Sequence, residues 1–387
     1  MLDPNDIVIV AANRTPVGKF FGGLQKETSS SLATKLLQKM LTAYSLDPSR
    51  IDQVILGNVL TAGAGQNVAR QVQLQAHLPV TGTALTINQV CGSSLKALRL
   101  AQSALLLQDA QVVVAGGTES MTQAPGLVRR KNKKEFDLSK VQDDITADGL
   151  TDASTQQLMG VTAENLVTKY QLTRQQQDEF ALASHQKAAE AGQQGHFAAE
   201  IIPVNDLAQD ETIRPQTNLT SLAQLPPVFL KHGSVTAGNA SPYSDAAALL
   251  VLTTAQNAQA YHWPMLARLV AFQEVGYAPE LMGYAPVVAI QKLLQRQHQT
   301  IADIDLFEVN EAFAAQALVV QQELQIPTRK YNISGGALAL GHALGASGAR
   351  IMTTLVHNLQ RLHLRRGLAA LCVGGGQGLA LEIECLR

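Results

Sequence analysis

The sequence is poor in cysteine and in charge. Three cysteines in 387 residues are too few for a disulfide framework and predict a reducing compartment, which we take as the cytoplasm. The 30 basic and 31 acidic residues nearly cancel without forming a long basic stripe, so nucleic-acid binding has no electrostatic support. No apolar run approaches the roughly 20 residues that span a bilayer, so no membrane segment is predicted. Residues 1–6 are acidic and lack the positive region of a signal peptide.

Motifs for common cofactors and metals are absent as well. The sequence contains no P-loop, and the glycine tract at residues 374–378 has no helix and acidic residue suitably placed after it to make a dinucleotide fingerprint. The three cysteines are isolated from one another and have no zinc-ligand spacing. The sequence therefore offers no motif for a dinucleotide, a P-loop nucleotide or a zinc ion. With 387 residues, the chain is long enough for two or three packed domains. Its 46% hydrophobic residues are typical of a well-buried enzyme.

Short apolar runs alternate with helical patterns in the first part of the chain. Residues 7–11 and 51–57 read as buried strands, and residues 112–115 as a strand that ends at two glycines. Residues 32–44 have apolar side chains at helical spacing, and residues 95–107 are apolar on nearly every side. Strands that alternate with helices predict a layered α/β domain.

The second part of the chain repeats this plan. Residues 306–309 read as a strand, a helix rich in small residues begins near residue 345, and a strand over 368–373 runs into three glycines. Apolar residues alternate with glutamates over 381–385, which predicts a last strand with one wetter face. We predict two similar α/β halves that face each other.

The region from about residue 121 to residue 243 differs in character. It holds a basic run at residues 129–134, a polar helix over 174–191 and two proline-bearing stretches. We interpret it as a long insertion that caps the sheet edge, a common place for substrate contacts. The predicted domains are residues 1–120, 121–243 and 244–387.

Cys91 is the first candidate for chemistry. It precedes Gly92 and two serines at the start of an apolar helix, where the helix dipole and free N–H groups favour a thiolate. An arbitrary cysteine is more often buried and inert. The small flanking residues and the other glycine-rich blocks favour a nucleophile here, which would need a base beside it.

His342 is the candidate base. Small residues surround it and leave room for a ligand, so it is suited to take a proton from Cys91 or to stabilise an oxyanion. Other isolated histidines are interpreted as surface or structural side chains; these are His77, His185, His196 and His262.

Cys372 ends a predicted strand in front of three glycines. Such a tract, with Gly374, offers backbone N–H groups to a developing negative charge, although a core cysteine before a tight turn is equally plausible from this block alone. Asn310 either orients a water or substrate carbonyl, or is an ordinary strand-to-helix cap. Cys385 has no such surroundings and is interpreted as structural.

The basic run at residues 129–134 has two interpretations. It is either a solvated loop or a contact for a phosphate-bearing ligand, and such a ligand could be bound across a subunit boundary.

Together these blocks resemble the thiolase family, and especially its biosynthetic acetyl-CoA acetyltransferases. The resemblance covers nearly the whole chain. The blocks that carry it are RTPVGKF (14–20), NQVCGSSLKA (88–97), GGTESM (116–121), MGVTAEN (159–165), VTAGNAS (235–241), NEAFAA (310–315), GGALALGH (335–342) and LCVGGGQG (371–378). The segment DGLTDA (148–153) looks more like the biosynthetic branch than the fatty-acid-degrading branch.

The resemblance implies a role for each candidate. Cys91 would take an acetyl group from one acetyl-CoA, with His342 activating it and Asn310 holding a water that joins His342 in one oxyanion hole. Cys372 would remove a proton from the methyl group of the second acetyl-CoA. Backbone N–H groups of Cys91 and Gly374 would form the other oxyanion hole. The product is acetoacetyl-CoA by a ping-pong scheme that also runs backwards as thiolysis.

The resemblance also implies a binding site, a fold and an assembly. The pantetheine tunnel or acyl pocket would be lined by Met159, Ser241, Met282 and Phe313, with Arg214 near the nucleotide end of CoA. The fold would have five layers, α-β-α-β-α, built from two similar halves with an inserted loop domain. Members are homodimers or homotetramers, and the position of the basic run favours a tetramer. Coenzyme A thioesters would be substrates, with no metal or cofactor, nucleic acid or membrane as partners.

Five positions depart from the family pattern. Ser94 stands where the family usually has glycine, and Ala343 and Val288 where it usually has proline. Leu158 replaces a frequent histidine, and Tyr243 lies in a stretch that is normally richer in glycine. None removes a catalytic group, so these departures affect efficiency, CoA affinity and chain-length preference. A degradative 3-ketoacyl-CoA thiolase of longer chain length is the alternative, because the same four groups serve both reactions. A non-catalytic CoA-binding relative is disfavoured, because the sequence has both thiols, the histidine and the asparagine.

Overall fold

The computed structural model describes residues 2–386, so that Met1 and Arg387, the outermost residues of the two predicted halves, lie outside the described part. The strands are β1 (Ile7–Arg14), β2 (Gly18–Lys19), β3 (Gln53–Gly57), β4 (Thr83–Ile87), β5 (Val112–Ser120), β6 (Gly126–Leu127), β7 (Gln142–Asp143), β8 (Ser244–Thr254), β9 (Ala267–Gly276), β10 (Leu306–Val309), β11 (Arg366–Val373) and β12 (Gln377–Cys385). The α-helices are α1 (Ser29–Ala43), α2 (Val68–Gln75), α3 (Ser93–Leu106), α4 (Met159–Tyr170), α5 (Arg174–Gln193), α6 (Leu219–Ala223), α7 (Ala255–Ala260), α8 (Ala285–Arg296), α9 (Ala314–Glu323), α10 (Ala337–Leu340) and α11 (Ser347–Arg361). Short 3₁₀ or π segments are Pro48–Arg50, Ile145–Gly149, Pro279–Tyr284, Ile301–Asp303, Thr328–Lys330 and Leu344–Ala346.

The long strands form one mixed sheet. Its order is β10-β11-β12-β9-β1-β8-β5-β3-β4, and β2 pairs with β8. Strand β3 is parallel to both of its neighbours, and β10 is parallel to β11, as expected for strands joined by helical crossovers. Strands β1 and β9 join the two parts of the sheet through the pairs Val8–Arg268 and Ile9–Ala267.

The helices complete the predicted five layers. Helices α3 and α11 lie between the two parts of the sheet, in a core cluster that includes Leu98 and Leu355. Helices α1 and α2 pack on the outer face of the N-terminal part, and α8 and α9 on the outer face of the C-terminal part. The prediction of two similar α/β halves in the order α-β-α-β-α is thus confirmed.

In the region between the halves, helices α4 and α5 pack on the C-terminal half. Helix α5, predicted over 174–191, begins with a capping box in which the Thr173 and Gln176 side chains bond each other's backbone N–H. It contacts α9 and α10, and α4 contacts α9. Strand β8, the first of the predicted C-terminal domain, pairs with β1 and β5 of the N-terminal part. The division of the chain at residues 121 and 244 stays a prediction.

Two strand predictions were wrong in detail. Strand β5 does not end at Gly116-Gly117 but pairs with β8 as far as Ser120. Glycine at position 117 lets the loop at Gly345 pack directly on the backbone of β5, because a Cβ at Gly117 would lie 2.0 Å from the Gly345 carbonyl oxygen. The last strand has no wetter face, since Glu382 and Glu384 are buried. Glu384 is buried because it pairs with Arg268 at 2.6 Å and with Arg365.

The three glycines after β11 form a tight hairpin to β12. Gly375 and Gly376 have φ of +82° and +80°, which only glycine adopts without strain. The hairpin places Cys372 opposite Gly378 at the end of the strand pair. Within residues 2–386, no helix combines the length and the apolar character needed to cross a membrane.

Candidate active site

Cys91 lies in a tight turn that is fixed to the first turn of α3. The Gly92 N–H donates to the Gln89 carbonyl at 2.9 Å, and the Ser93 hydroxyl accepts from the Gln89 N–H at 2.8 Å while donating to the Val90 carbonyl at 2.7 Å. Val90 has a φ of +45°, a strained conformation for a β-branched residue. Such strain at the residue before a candidate nucleophile is typical of a functional turn.

His342 meets Cys91 across the two halves of the molecule. Its Nε2 lies 3.2 Å from the Cys91 Sγ, and its Nδ1 lies 2.6 Å from the Ser347 hydroxyl. That hydroxyl donates its single proton to the Ala343 carbonyl at 2.7 Å, so it accepts from Nδ1–H. The neutral tautomer therefore directs the Nε2 lone pair at the thiol, as a general base requires.

Asn310 and Cys372 complete the group that the sequence predicted. The Asn310 Nδ2 lies 3.4 Å from His342 Nε2. The buried Oδ1 of Asn310 has no hydrogen-bond partner among residues 2–386. Cys372 is 1% exposed and packs against Met159 and Phe313. Burial raises the pKa of Cys372, and negative charge on Cys91 raises it further.

Burial controls the protonation of the pair. It raises the pKa of Cys91 to about 12, although backbone N–H groups of Cys91 and Gly374 act on the sulfur and lower it. Burial, together with the positive charge of Arg350, lowers the pKa of His342 to about 4. Backbone N–H groups favour a thiolate, as the sequence predicted, but desolvation outweighs them in the resting site. Thiol and imidazole are both neutral at pH 7.

Glu119 holds the loop that carries His342. Its buried carboxylate accepts from the Gly345 N–H at 2.7 Å and from the N–H groups of Val59 and Leu60 at 3.0 and 3.1 Å. The Asn58 side chain donates to it at 2.6 Å. Burial raises the pKa of Glu119 to about 7. The carboxylate thus ties the C-terminal loop to the N-terminal half.

A cavity of about 230 Å³ opens onto the catalytic pair. Cys91, His342 and Gly374 line it, and so do the predicted substrate-binding residues Met159, Ser241, Met282 and Phe313. The predicted catalytic residues Asn310 and Cys372 are not part of its lining, and neither is Arg214. Arg214 lies elsewhere. It lines a neighbouring cleft with Lys19 and Glu211, and the two spaces share Pro242 and Tyr243 as a wall. Within residues 2–386, no three His, Cys, Asp or Glu side chains are grouped as metal ligands.

The structure also places the positions that depart from the family pattern. Leu158 and Tyr243 line the cavity, and the Tyr243 ring meets Phe20 edge-on at 5.6 Å. Ser94 lies at the contact between α3 and α11, where its hydroxyl accepts from the Ala349 N–H at 2.9 Å. Ala343 accepts the Ser347 hydrogen bond. Val288 packs in the outer core of the C-terminal half, away from the cavity.

Sequence reasoning missed two residues that position the site. Ser347 selects the tautomer of His342, and its signal is a serine at the first position of the helix that follows the histidine. Glu119 stands in the GGTESM block, where an acidic residue at the end of an apolar strand was the available signal. Neither signal shows which residue Ser347 or Glu119 contacts, because only the folded chain brings these segments together.

Comparison with known proteins agrees with this geometry. A model of the thiolase N-terminal domain matches residues 7–256, and a model of the thiolase C-terminal domain matches residues 263–385. The chain is 46% identical to a probable acetyl-CoA acyltransferase of Staphylococcus epidermidis over 98% of each chain. It is 45% identical to the acetyl-CoA acetyltransferase of Pseudomonas aeruginosa, over 98% of this chain and 99% of that one.

Solved structures show the same similarity. The acetyl-CoA acetyltransferase of Bacillus anthracis superposes with a TM-score of 0.95 at 39% identity, covering 98% of this chain and 99% of that one. Human mitochondrial 3-ketoacyl-CoA thiolase in complex with CoA also has a TM-score of 0.95, at 38% identity over 99% of both chains. On these matches, which extend over nearly its full length, the chain belongs to the thiolase family.

Proposed function

We propose that this thiolase is an acetyl-CoA acetyltransferase that condenses two acetyl-CoA into acetoacetyl-CoA and CoA. The observation that carries the proposal is the 3.2 Å contact of the Cys91 thiol with His342. A second buried thiol, Cys372, packs against Met159 and Phe313, which line the same cavity. One thiol can hold the acyl group while the other moves a proton. Relatives with 45–46% identity over almost the whole chain bear the name acetyl-CoA acetyltransferase.

In the first half-reaction Cys91 becomes acetylated. His342 takes the Cys91 proton as the sulfur attacks the thioester carbonyl, and the resulting oxyanion lies against the N–H groups of Cys91 and Gly374. The tetrahedral intermediate collapses with cleavage of the carbon–sulfur bond to CoA. The departing CoA sulfur takes the proton of Cys372. The site then holds acetyl-Cys91, imidazolium and the Cys372 thiolate.

In the second half-reaction a new carbon–carbon bond forms. The Cys372 thiolate removes a proton from the methyl group of the second acetyl-CoA, and the enolate oxygen lies against protonated His342 and a water held by Asn310. The unpartnered Oδ1 of Asn310 supports such a water. The enolate carbon attacks acetyl-Cys91, the Cys91 sulfur leaves, and it recovers its proton from His342. Both thiols and the imidazole return to their starting state.

Coenzyme A is proposed to occupy the cavity and the neighbouring cleft. The apolar side chains of Met159, Met282 and Phe313 suit the pantetheine arm. The cations of Lys19 and Arg214 in the cleft suit CoA phosphates. Support also comes from the similar human mitochondrial 3-ketoacyl-CoA thiolase, whose solved structure contains CoA.

The name of that human relative also makes a longer-chain 3-ketoacyl-CoA thiolase the second candidate. Both activities use the same catalytic groups, so only the shape of the acyl pocket separates them. The test that separates the two candidates compares kcat/KM for thiolysis of acetoacetyl-CoA with kcat/KM for thiolysis of a medium-chain 3-ketoacyl-CoA. A higher kcat/KM for the medium-chain substrate would favour the second candidate.

The proposal is tested by thiolysis of acetoacetyl-CoA together with intact-mass detection of the acetyl adduct. Cys91→Ser is expected to abolish both signals. Cys372→Ala is expected to acetylate Cys91 more slowly, because CoA then leaves without the Cys372 proton, and to lose condensation. Cys385→Ala is the control, because Cys385 lies in β12 outside the cavity lining. Full turnover in Cys91→Ser, or no acetylation in Cys372→Ala, would contradict the assigned roles.

The same proposal includes a homotetramer in preference to a dimer. Strands β6 and β7 form a separate hairpin whose connecting segment holds the basic run 129–134 and three exposed apolar side chains, Phe136, Leu138 and Val141. Exposed apolar side chains grouped on one projecting segment are typical of an interface. A second copy of the chain is the proposed partner.

A further inference from the structure

Ser94 lies where the catalytic groups of the two halves are anchored. It is the second residue of α3, and its side chain is completely buried. Ser93, the residue before Ser94, fixes the turn that carries Cys91, because its hydroxyl accepts from the Gln89 N–H and donates to the Val90 carbonyl. The first turn of α3 and the nucleophile therefore move as one body.

The first turn of α11 holds the base in the same way. Ser347, the first residue of α11, accepts from His342 Nδ1 and donates to the Ala343 carbonyl. A shift of this turn relative to α3 would change the separation of 3.2 Å between Cys91 Sγ and His342 Nε2.

The Ser94 hydroxyl joins these two first turns. It accepts from the N–H of Ala349, the third residue of α11, at 2.9 Å. The residue at the N-cap position of α11 is Ala346, which supplies no side-chain cap. Ser94 thus caps a helix of the opposite half. The backbones are close here, since a Cβ at Gly348 would lie 2.6 Å from the Leu95 nitrogen.

We propose that Ser94 is a positioning residue that sets the Cys91–His342 separation through its hydrogen bond to α11. Removing its hydroxyl leaves the buried Ala349 N–H without that acceptor and frees the two turns to shift. Proton transfer from Cys91 to His342 slows as a result. Substrate binding changes little, because Ser94 does not line the cavity. The proposal deepens the proposed function, whose first step is that proton transfer.

The first test is Ser94→Ala in the full-length protein. We expect kcat for acetoacetyl-CoA thiolysis to fall on the order of tenfold with KM nearly unchanged, since small misplacements of reacting groups are costly. Ser103→Ala is the matched control, because its hydroxyl bonds only the Arg99 carbonyl of its own helix, and it should leave kcat unchanged. Wild-type kcat in Ser94→Ala, or an equal loss in both variants, would overturn the proposal.

A second pair of variants separates the hydroxyl from packing. Ser94→Thr and Ser94→Val add side chains of nearly the same shape, so both carry the same steric cost, and only threonine retains the acceptor. We expect the threonine variant to exceed the valine variant in kcat by several-fold. Equal activities would show that the hydrogen bond has no positioning role.

Alkylation of Cys91 by iodoacetamide gives a readout that does not depend on the proposed function. Its rate near neutral pH is expected to fall in Ser94→Ala and Ser94→Val and to stay at the wild-type value in Ser103→Ala. If wild-type protein lacks thiolysis but the alkylation rates follow this order, the proposed function fails and the role of Ser94 stands. Unchanged alkylation in all variants, with normal thiolysis, would reject the role of Ser94 alone.

Discussion

At the scale of single residues, the Cys91–His342 pair is set for proton transfer and not for a standing ion pair. A thiol whose pKa is raised to about 12 and an imidazole whose pKa is lowered to about 4 are both neutral across the physiological range. The energetic reason is desolvation, since neither a thiolate nor an imidazolium is favoured in a buried site before substrate arrives. The imidazolium forms only as the Cys91 sulfur bonds to the substrate carbonyl, whose oxygen then carries the negative charge.

This protonation state predicts an unusual pH dependence. His342 must be neutral to accept a proton, and a pKa lowered to about 4 keeps it neutral well below the ordinary histidine value of 6.5. We therefore expect the rate of Cys91 acetylation to show no titration step near pH 6.5 when it is measured from about pH 5 to about pH 8. Intact-mass measurement of acetyl-Cys91 at short times gives this rate. An acid limb centred near pH 6.5 would show that the imidazole is more solvated than the structure has it.

At the scale of structural elements, the contact between β5 and the loop before α11 joins the halves at the site. Glu119, the last residue but one of β5, accepts from Gly345 in that loop and from Val59 and Leu60 after β3. A buried carboxyl group shared by three backbone N–H groups holds all three segments together. The loop between His342 and Ser347 therefore has little freedom.

Glu119→Gln is expected to destabilise the protein. The glutamine amide places an N–H₂ group among N–H donors, so at least one hydrogen bond is lost, at a cost of about 2–4 kcal/mol. The pKa of Glu119 in the folded protein, about 7, lies above its ordinary value of 4.5, so its stabilising effect is present in full below pH 4.5 and declines as pH rises to about 7. The melting temperatures of the variant and the wild type should thus differ more at about pH 5 than at about pH 7.5. Glu135→Gln, on the exposed loop, is the control. A difference that grows with pH would contradict this assignment.

The elements themselves were largely predictable from the sequence. Buried strands such as β1, β10 and β11 are short apolar runs, and α5 has its own capping residues, so local pattern suffices for them. The failures have a common physical cause. The extension of β5 through two glycines and the burial of Glu382 and Glu384 depend on partners distant in sequence, which no local pattern contains.

At the scale of the whole molecule, the site exists only because the halves pack together. Cys91 comes from the N-terminal half, whereas Asn310, His342 and Cys372 come from the C-terminal half, and Met159 from the region between them closes the cavity. From their own surroundings, the sequence favoured Cys91 and His342 as chemical groups. Asn310 and Cys372 also had structural interpretations there, and their roles and that of Met159 came from the resemblance to the thiolase family. The sequence could not give the 3.2 Å contact, the Ser347 tautomer or the effect of burial on Cys91, since these arise from packing. The catalytic roles stay predictions until the variants are measured.

The proposed tetramer gives the last prediction at this scale. Phe136 and Leu138 are 50% and 76% exposed on the segment between β6 and β7, and burying them against a second copy would remove this apolar area from water. Replacing both by glutamate places charges in that interface, so we expect a smaller assembly by sedimentation velocity and light scattering. Thiolysis of acetoacetyl-CoA should persist, because neither residue lines the catalytic cavity. Leu107→Glu is the matched control, since Leu107 is 73% exposed at the end of α3, and it should keep the wild-type mass. An unchanged mass in the double variant would place the interface elsewhere, and a wild-type dimer would reject the tetramer itself.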